Sequence, residues 1–252
     1  MLTPSRSIGL SLTIEASDVV KIFGDVHALD GLSFVVKHGE IFGLIGPNGA
    51  GKTTALRIIS TLLKPTSGSV KVLGRDVVSQ AAEIRRLISY LPEEAGAYKN
   101  LSGHEYLKFM AKFTIKDKKM VRETVDVASK ISGLENRLED KVKTYSKGMK
   151  RRLLVARALM TKPKLALLDE PTSGLDVLHS VHVRGIIKQY VEQEGVTVLL
   201  SSHNILEVEY LCSKVALINK GKIVAEGSPT ELKKEVKASN LEEVFSKVVG
   251  FA

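Results

Sequence analysis

The chain has 252 residues, of which 44% are hydrophobic and 26% charged, and its formal net charge is +9. This length and composition are ordinary for a soluble globular protein with a full core, and we expect no membrane span because the longest apolar runs are far too short to cross a bilayer. The single cysteine, Cys212, excludes an internal disulfide, and we expect a buried, unreactive thiol in a reducing compartment. Residues 1–12 hold one arginine and no sustained apolar run, so we expect no secretory signal there.

The first part of the chain predicts short strands followed by a strand, a loop and a helix. Residues 12–40 are rich in β-forming residues, with turns predicted at Asp30-Gly31 and His38-Gly39. A buried strand is predicted at 41–45, followed by a glycine-rich loop and a helix whose apolar face includes Leu56, Ile59 and Leu63. Another strand is predicted at 70–73 and a short helix at 80–88.

The glycine-rich loop is the most informative pattern in the sequence. It lies between the strand and the helix, which is the context in which such a loop binds phosphate. Its glycines let backbone N–H groups converge on phosphate oxygens, and the helix start adds partial positive charge. The loop predicts a nucleotide site in which Lys52 contacts the outer phosphates and the Thr53 hydroxyl ligates Mg²⁺. The predicted binding residues are Gly46, Pro47, Asn48, Gly49, Ala50, Gly51, Lys52, Thr53 and Thr54.

Residues 101–162 are predicted to be mostly helical. Ser102 and Glu105 form a capping-box pattern, a second helix ends at Gly133, and a third begins near Ser146. Strands then alternate with helices, which indicates a mostly parallel sheet covered on both faces and interrupted by an inserted helical subdomain. The later strands are predicted at 165–168, 196–201 and 215–218, the helices at 176–193 and 204–213, a hairpin turn at 219–221, and an amphipathic helical tail at 230–249.

Two of the later strands end in residues that carry chemistry. Asp169 and Glu170 follow one strand, and His203 follows another. Ligands of open α/β sheets bind at the carboxyl ends of the strands. Asp169 therefore predicts a Mg²⁺ contact, and Glu170 a base that orients and deprotonates an attacking water, although an acidic helix cap is the plainer alternative. His203 could reach a γ-phosphate from this edge, although a lone histidine is more often structural.

These patterns together resemble the ATPase subunit of an ABC transporter over nearly the whole chain. The matching motifs occur in the family's order, namely residues 46–54, 145–149, 165–170, 173–176 and His203. The sequences at 91–94 and 145–149 resemble the subunits that drive ABC-2-type export permeases. The resemblance implies an α/β fold of the P-loop NTPase (RecA-like) class, with a mostly parallel core, an antiparallel β subdomain and an inserted helical subdomain.

The resemblance also implies one ABC ATPase domain over residues 1–252. Its nucleotide-binding core and β subdomain would comprise residues 1–92 and 163–229. The helical subdomain would occupy residues 93–162, and a helical tail residues 230–252.

The roles of individual residues follow from the resemblance. Lys52, Glu170 and His203 resemble the phosphate-binding lysine, the catalytic base and the γ-phosphate sensor. Thr53 and Asp169 would hold Mg²⁺. Further ATP contacts are implied for four residues. Ser146 and Gly148 would cap the nucleotide of the opposite subunit, and Asp176 would cross the dimer interface. Phe23 would stack on adenine unless it belongs to the core.

Two residues depart from the family pattern. Glu93 replaces the usual Gln of the switch loop; a carboxylate can ligate Mg²⁺, but it adds negative charge beside the γ-phosphate. Lys147 stands inside the signature sequence, where it either adds positive charge to the opposite phosphate site or points to water.

The function implied is an ATP-hydrolysing motor subunit at the cytoplasmic face of the membrane. Two ATPase subunits, either identical or paired, would close head to tail on ATP and drive transport, in the export direction, through separate ABC-2-like integral membrane permeases. Nucleic acid is not an expected partner.

The main alternative is a soluble ABC-type ATPase acting on the ribosome or on nucleic acid. The net charge of +9 and a basic cluster favour it, but we expect no second ATPase half and no long coiled-coil insert. A solvated helix face is the plainer interpretation of that cluster. A binding module without turnover and a simple kinase are disfavoured by Glu170 and by the signature. The basic cluster comprises Lys141, Lys143, Lys147, Lys150, Arg151 and Arg152.

Overall fold

The computed structural model describes residues 12–250, apart from the side chain of Leu206. The expectation that the first residues form no secretory signal therefore falls outside the described residues. The last two residues of the predicted helical tail lie outside them as well. Within the described part of the chain, no helix is long and apolar enough to cross a membrane.

The strands of the described chain extend from near its start to residue 227. They are β1 (Leu12–Phe23), β2 (Val26–Lys37), β3 (Ile41–Ile45), β4 (Ser67–Val72), β5 (Arg75–Asp76), β6 (Ile88–Leu91), β7 (Leu165–Asp169), β8 (Thr197–Ser202), β9 (Lys214–Asn219) and β10 (Lys222–Gly227).

The helices lie between these strands and after them. They are α1 (Lys52–Ile59), α2 (Ala81–Arg85), α3 (Gly103–Thr114), α4 (Lys118–Ser132), α5 (Lys147–Leu159), α6 (Val177–Glu194), α7 (Ile205–Leu211), α8 (Pro229–Glu235) and α9 (Leu241–Val249), with 3₁₀ turns at Glu135–Glu139 and Val142–Thr144.

The strands form two sheets. One is antiparallel with the order β2-β1-β4-β5, and the other has the order β10-β9-β3-β8-β7-β6. In the second sheet β9, β3, β8, β7 and β6 pair in parallel, whereas β10 pairs antiparallel to β9. The predicted fold class, a mostly parallel core with an antiparallel β subdomain and inserted helices, is confirmed.

The six-stranded sheet is covered on both faces, because alternate residues of its central strands enter different cores. Ile41 and Ile45 of β3 belong to a core shared with α3–α9, whereas Phe42 and Leu44 belong to one shared with α1 and the antiparallel sheet. Residues of β7 alternate in the same way. Burial on both sides explains why these strands are continuous apolar runs.

Local sequence signals explain most of the element boundaries. The capping box at Ser102 is present, Gly133 ends α4 in the left-handed conformation with φ 56°, and the Ser146 hydroxyl caps α5. Glycine suits such a helix end because it has no Cβ to clash there. The turn at His38-Gly39 is confirmed as well.

The predicted turn at Asp30-Gly31 is wrong. Both residues lie inside β2, which pairs with β1 as one long hairpin whose turn follows Phe23. Between the pairs Val19↔Leu32 and Lys21↔Leu29, β2 has one more residue than β1, and Gly31 has φ 78°. The dipeptide therefore forms a β-bulge, which uses the same left-handed glycine as a turn. Strand β6 was not predicted, because its four residues carry no clear alternation.

Cys212 is buried, as predicted, and burial raises the pKa of its thiol well above the ordinary value. It packs beside β3, where Gly43 leaves the space that its sulfur occupies. A Cβ on Gly43 would lie 2.9 Å from Cys212 Sγ and 3.0 Å from Val208 Cγ1.

We expect Gly43→Ala to destabilise the protein by about 1–3 kcal/mol, since the added methyl overpacks the contact between β3 and α7. The matched control is Gly185→Ala in α6, where no described atom other than those of the adjacent residues and the backbone of α6 itself lies within 4 Å of the new Cβ. That change should stabilise by about 0.5–1 kcal/mol through helix propensity. Urea unfolding of both variants measures the difference. Equal stability of the two variants would contradict the packing argument.

Candidate nucleotide-binding site

The carboxyl ends of the parallel strands bring the predicted site residues to one edge of the sheet. The register pairs Ile45 of β3 with Ser202 of β8, and Asp169 of β7 with Ser201 of β8. The residues that follow these strands therefore emerge side by side. They begin the glycine-rich loop, the acidic pair and the segment that carries His203.

The glycine-rich loop turns tightly between β3 and α1. A Cβ on Gly46 would lie 2.1 Å from the Ile218 carbonyl oxygen, and one on Gly51 would lie 2.5 Å from the Ala28 carbonyl oxygen. Gly51 also has φ 110° and is the N-cap of α1, which no described side chain caps. The amides of the first turn of α1 are therefore open to an anion.

Lys52 lies folded under this loop. Its Nζ donates hydrogen bonds to the carbonyl oxygens of Gly46 (2.7 Å) and Pro47 (3.2 Å) and lies 3.5 Å from Glu170 Oε1. The Lys52 side chain is 6% exposed. A buried ammonium needs a countercharge, and Glu170 supplies it.

Glu170 is held in an unusual backbone conformation. Its φ is 49°, a left-handed value that costs a non-glycine residue about 1–2 kcal/mol. Its N–H donates to both the carbonyl and the hydroxyl oxygen of Ser201. Oε2 lies 2.8 Å from Nδ1 of the half-exposed His203, whereas the buried Oε1 forms no hydrogen bond within residues 12–250. One carboxylate oxygen is thus held by a hydrogen bond, and the other is held only by the charge of Lys52.

Asp169 is fully buried and accepts three side-chain hydrogen bonds. The hydroxyls of Thr53 (3.2 Å) and Ser201 (2.5 Å) donate to Oδ1, and that of Tyr90 (3.3 Å) donates to Oδ2. Burial, together with the Asp169 charge, raises the pKa of Tyr90 to about 12, so Tyr90 remains a donor.

Ser201 and Tyr90 were not predicted as site residues. The signal for Ser201 was a polar residue at the end of an apolar strand. Tyr90 lies on β6, the strand that was not predicted.

The oxygen ligands at this edge fit a hard divalent cation. Thr53 and Asp169 are in direct contact, and hydroxyl and carboxylate oxygens are what Mg²⁺ prefers. Within the described residues no three His, Cys, Asp or Glu side chains cluster to hold a metal ion by themselves. A nucleotide's own phosphate oxygens would therefore have to complete the coordination.

A cavity of about 330 Å³ opens above the loop. It contains seven residues of the predicted phosphate loop as well as Glu93 and Glu170. Glu93 is exposed, and its Oε1 accepts a long hydrogen bond from the Ser173 hydroxyl (3.4 Å). The cavity is lined by Val26, His27, Ala28, Asn48, Gly49, Ala50, Gly51, Lys52, Thr53, Thr54, Glu93 and Glu170.

Phe23 is not among the lining residues. It ends β1, pairs with Val26 across the hairpin, and is 47% exposed. Lys21 Nζ lies 4.9 Å from the centre of its ring. Phe23 is therefore a surface residue beside the cavity rather than a core residue.

Ser146, Gly148 and Asp176 form a second group that does not line this cavity. Ser146 caps α5, Asp176 caps α6, and a Cβ on Gly148 would lie 2.3 Å from the His179 ring. His179 Nδ1 lies 2.8 Å from both carboxylate oxygens of Asp176. Hydrogen bonds from His179 lower the pKa of the Asp176 carboxyl.

Lys147 lies beside this second group. A Cβ on Gly174 would lie 1.9 Å from Lys147 Nζ, so the ammonium is stretched over the backbone of the loop 173–176. Its end therefore lies on this loop within its own chain.

The expectation that the basic cluster is a solvated helix face is wrong for two of its members. Arg151 is only 7% exposed, and all five of its N–H donors reach carbonyl oxygens near the acidic pair. Arg152 donates to the carbonyls of Ser132 and Gly133. The basic cluster in the sequence did not indicate that these two arginines bind backbone carbonyls, because those carbonyls are distant in sequence from both arginines.

The loop, the lysine and the acidic pair at the edge of a parallel sheet define a P-loop nucleotide-binding protein. More narrowly, the chain belongs to the ABC transporter family: that family's model matches residues 29–173.

The relatives agree with this assignment. The chain is 37% identical over 220 residues to the linearmycin resistance ATP-binding protein LnrL of Bacillus subtilis (strain 168), covering 87% of this chain and 70% of LnrL. It is 38% identical over 225 residues to the bacitracin transport ATP-binding protein BcrA of Bacillus licheniformis, covering 89% and 72%.

A solved structure is similar as well. The dimeric post-hydrolysis state of the ATP-binding cassette MJ0796, bound to ADP and Pi, aligns with a TM-score of 0.77 and 26% identity. The alignment covers 85% of this chain and 98% of that one. The chain is an ATP-binding, ATP-hydrolysing subunit of an ABC transporter.

A further buried acid, Glu207 of α7, lies near Glu170. Burial raises the pKa of Glu207, and the Glu170 charge adds to this, while hydrogen bonds from Ser202 and Thr172 and the charge of Arg184 oppose it. Within the described chain, Oε1 of Glu207 has no hydrogen-bond partner. Folding therefore favours the protonated form of Glu207.

We expect Glu207→Gln to raise the midpoint of thermal unfolding by a few degrees at pH 8. A raised pKa in the folded state means that the wild-type protein loses stability as pH rises above the ordinary glutamate value, and the amide does not. The gain should shrink as the pH falls through the ordinary glutamate pKa of 4.5, because below it Glu207 is protonated in the folded and the unfolded state alike. Thermal unfolding at several pH values measures it, with the exposed Glu192→Gln as the control. A gain that is constant with pH would contradict the ionisation argument.

Proposed function

We propose that two subunits close head to tail on ATP, each completing the nucleotide site of the other. The observation that carries this proposal is the separation of the predicted residues into two groups. One group lines or adjoins the cavity of its own chain, whereas Ser146, Gly148 and Asp176 lie apart from it. The positive end of α5, which begins at Ser146, suits an anion supplied by another subunit. The dimeric state of the related cassette MJ0796 supports this arrangement.

Within each site we assign roles to three residues. Lys52 would bind the outer phosphates, because its ammonium lies beneath the loop and faces the cavity. Glu170 would orient the attacking water through Oε1, the carboxylate oxygen without a hydrogen bond. His203 fixes Oε2 of Glu170 and would bind the γ-phosphate. The loop amides and Phe23 would hold the rest of the nucleotide.

Mg²⁺ would be held by Thr53 and Asp169 together with Glu93, which lines the same cavity as Thr53. When bound, the ion would neutralise charge on the β- and γ-phosphates. Tyr90 and Ser201 orient the Asp169 carboxylate by hydrogen bonds. Catalysis would consist of positioning and charge neutralisation.

We also propose the division of the chain into working parts. The nucleotide-binding core would comprise residues 1–92 and 163–229, the helical subdomain residues 93–162, and the tail residues 230–252. Helices α3, α4 and α5 support this division, because they pack on one another.

The helical subdomain would contact the membrane partner. Tyr98, Phe109 and Phe113 form an exposed aromatic patch, with ring centroids 5.4 and 5.0 Å apart in edge-to-face pairs. Such a patch is typical of an interaction surface. It follows the loop that carries Glu93, so a partner seated there would lie close to the nucleotide cavity. We infer an ABC-2-like permease as partner and a peripheral location at the cytoplasmic face of the membrane.

Export is the inferred direction, on the basis of the names of LnrL and BcrA. The soluble, nucleic-acid-directed alternative is not favoured. Two of the six cations in its basic cluster, Arg151 and Arg152, are engaged with backbone carbonyls. They are therefore unavailable to a polyanion.

We expect Glu170→Gln to retain ATP binding and to lower kcat by at least about 100-fold, because an amide cannot accept the proton of the attacking water. The ATP-bound variant should elute as a dimer in size-exclusion chromatography. Phosphate release and equilibrium nucleotide binding are measured in parallel.

The matched control is Glu192→Gln, an exposed glutamate of α6. It should turn over ATP like the wild type and elute in the same way. An ATP-loaded Glu170→Gln protein that stays monomeric would overturn the head-to-tail proposal. Wild-type turnover in that variant would overturn the assignment of the base.

We expect Phe113→Ala to leave basal ATPase activity within about twofold and to lower membrane association severalfold, since it removes an exposed anchor of the aromatic patch. The measurement is the share of the chain that sediments with vesicles containing its co-expressed permease, compared with vesicles lacking it. Met120→Ala, an equally apolar exposed position on α4, is the control. Equal loss in both variants would contradict the specific role of the patch.

A further inference from the structure

Arg151 is the most completely engaged buried charge near the nucleotide cavity. Nε donates to the Pro171 carbonyl oxygen (2.8 Å), and Nη2 donates to those of Asp169 (2.7 Å) and Glu170 (2.6 Å). Nη1 donates to the carbonyl oxygens of Pro92 (3.4 Å) and Glu93 (3.1 Å). A guanidinium has five N–H donors in a fixed plane, and here every one has a partner.

These five carbonyls belong to two separate segments. Three follow one another along the chain from the end of β7, and two lie in the loop after β6 that carries Glu93. Arg151 itself belongs to α5, the helix that begins at Ser146. One planar side chain therefore joins the helix of the signature, the acidic pair and the loop of Glu93.

The positive charge of Arg151, like its hydrogen bonds, relates it to several parts of the site. Burial lowers the pKa of its guanidinium, while the charges of Asp169, Glu93, Glu207 and Glu170 all oppose that shift. The cation is thus the shared countercharge of the acidic side of the site. It contacts the backbone carbonyls of Asp169 and Glu170 and donates no hydrogen bond to their carboxylates.

The bond to Glu170 has a specific consequence, because Glu170 has the left-handed φ of 49°. Such a conformation persists only where the surroundings hold it. The N–H of Glu170 is held by Ser201, and its carbonyl is held by Arg151. Loss of one of these restraints lets the backbone relax and turns the carboxylate away from the cavity.

We propose that Arg151 is a positioning residue for ATP hydrolysis. It orients the Glu170 carboxylate toward the cavity, and it holds the loop that carries Glu93 against α5. The proposal rests on the proposed role of Glu170 as the base. It assigns Arg151 no contact with the nucleotide.

The neighbouring arginine provides a matched control. Arg152 lies on the same helix and donates to two backbone carbonyls, those of Ser132 and Gly133. Burial lowers its pKa as well. Its partners lie at the end of α4, so its loss affects packing of the helical segment and not the acidic pair.

The experiment compares Arg151→Lys and Arg151→Met with Arg152→Lys and Arg152→Met. A lysine retains the charge and up to three donors, whereas methionine retains only the length of the side chain. We expect kcat for ATP to fall at least about tenfold in Arg151→Lys and further in Arg151→Met, with the nucleotide Kd within about threefold of wild type, because a displaced base affects the reaction more than binding. The Arg152 variants should keep kcat within about twofold, measured on folded protein at a temperature below the onset of unfolding.

A double mutant separates positioning from general damage. In the Glu170→Gln background, Arg151→Lys should cause no further loss of the residual single-turnover rate, because both changes remove the same function. A further tenfold loss there, or equal loss of kcat in the Arg151 and Arg152 variants, would overturn the proposal. So would wild-type kcat in Arg151→Lys alongside an inactive Glu170→Gln. Failure of the proposed function is distinct, since then Glu170→Gln itself turns over ATP normally.

Discussion

The parallel pairing of β3, β8 and β7 is the constraint on which the rest of the site depends. Because these strands run in one direction and in register, their carboxyl ends coincide, and residues from three distant parts of the sequence meet at one edge. Each strand is buried on both faces, so a slip of one residue would exchange the two cores that its side chains enter. Apolar packing of the sheet therefore sets the positions of Lys52, Glu170 and His203 before any ligand is bound.

Burial of so many charges at this edge needs compensation. Lys52 and Glu170 lie 3.5 Å apart and are both nearly inaccessible, and Asp169 is completely buried. An isolated ion in such a place costs several kcal/mol, so each must be paired or hydrogen-bonded. Thr53 and Ser201 donate hydrogen bonds to the Asp169 carboxylate. Arg151 adds positive charge nearby, and it donates to the Asp169 backbone carbonyl and not to the carboxylate. The site is thus stabilised by backbone and hydroxyl contacts, and Oε1 of Glu170 forms no hydrogen bond within the described residues.

The sequence predicted the fold class, the order of most elements and the phosphate loop, because each depends on local pattern. Helix α5 was found from its apolar spacing and its Ser146 cap. The same periodicity could not indicate that Arg151 is buried, since that depends on carbonyls in segments about 20 and 58 residues away in the chain. The Asp30-Gly31 dipeptide has the same local conformation in a turn and in a bulge, and only the pairing of β1 with β2 distinguishes them. Strand β6 was missed because tertiary pairing, not alternation, defines it.

Three contacts of α5 hold the helical segment against the nucleotide edge. Gly148 packs on the His179 ring, the Lys147 ammonium lies over Gly174, and Arg151 binds the carbonyls behind the acidic pair. Glycine is favoured at two of these points, because a Cβ at Gly148 would lie 2.3 Å from the His179 ring and Gly174 has a left-handed φ of 66°. Close contacts of this kind do not deform gradually, since packed interiors shift between discrete arrangements. A partner that moves α5 must therefore move the loop 173–176 with it, or break these contacts together. In either case, a movement of the helical segment directly changes the positions of the residues that would contact the second subunit.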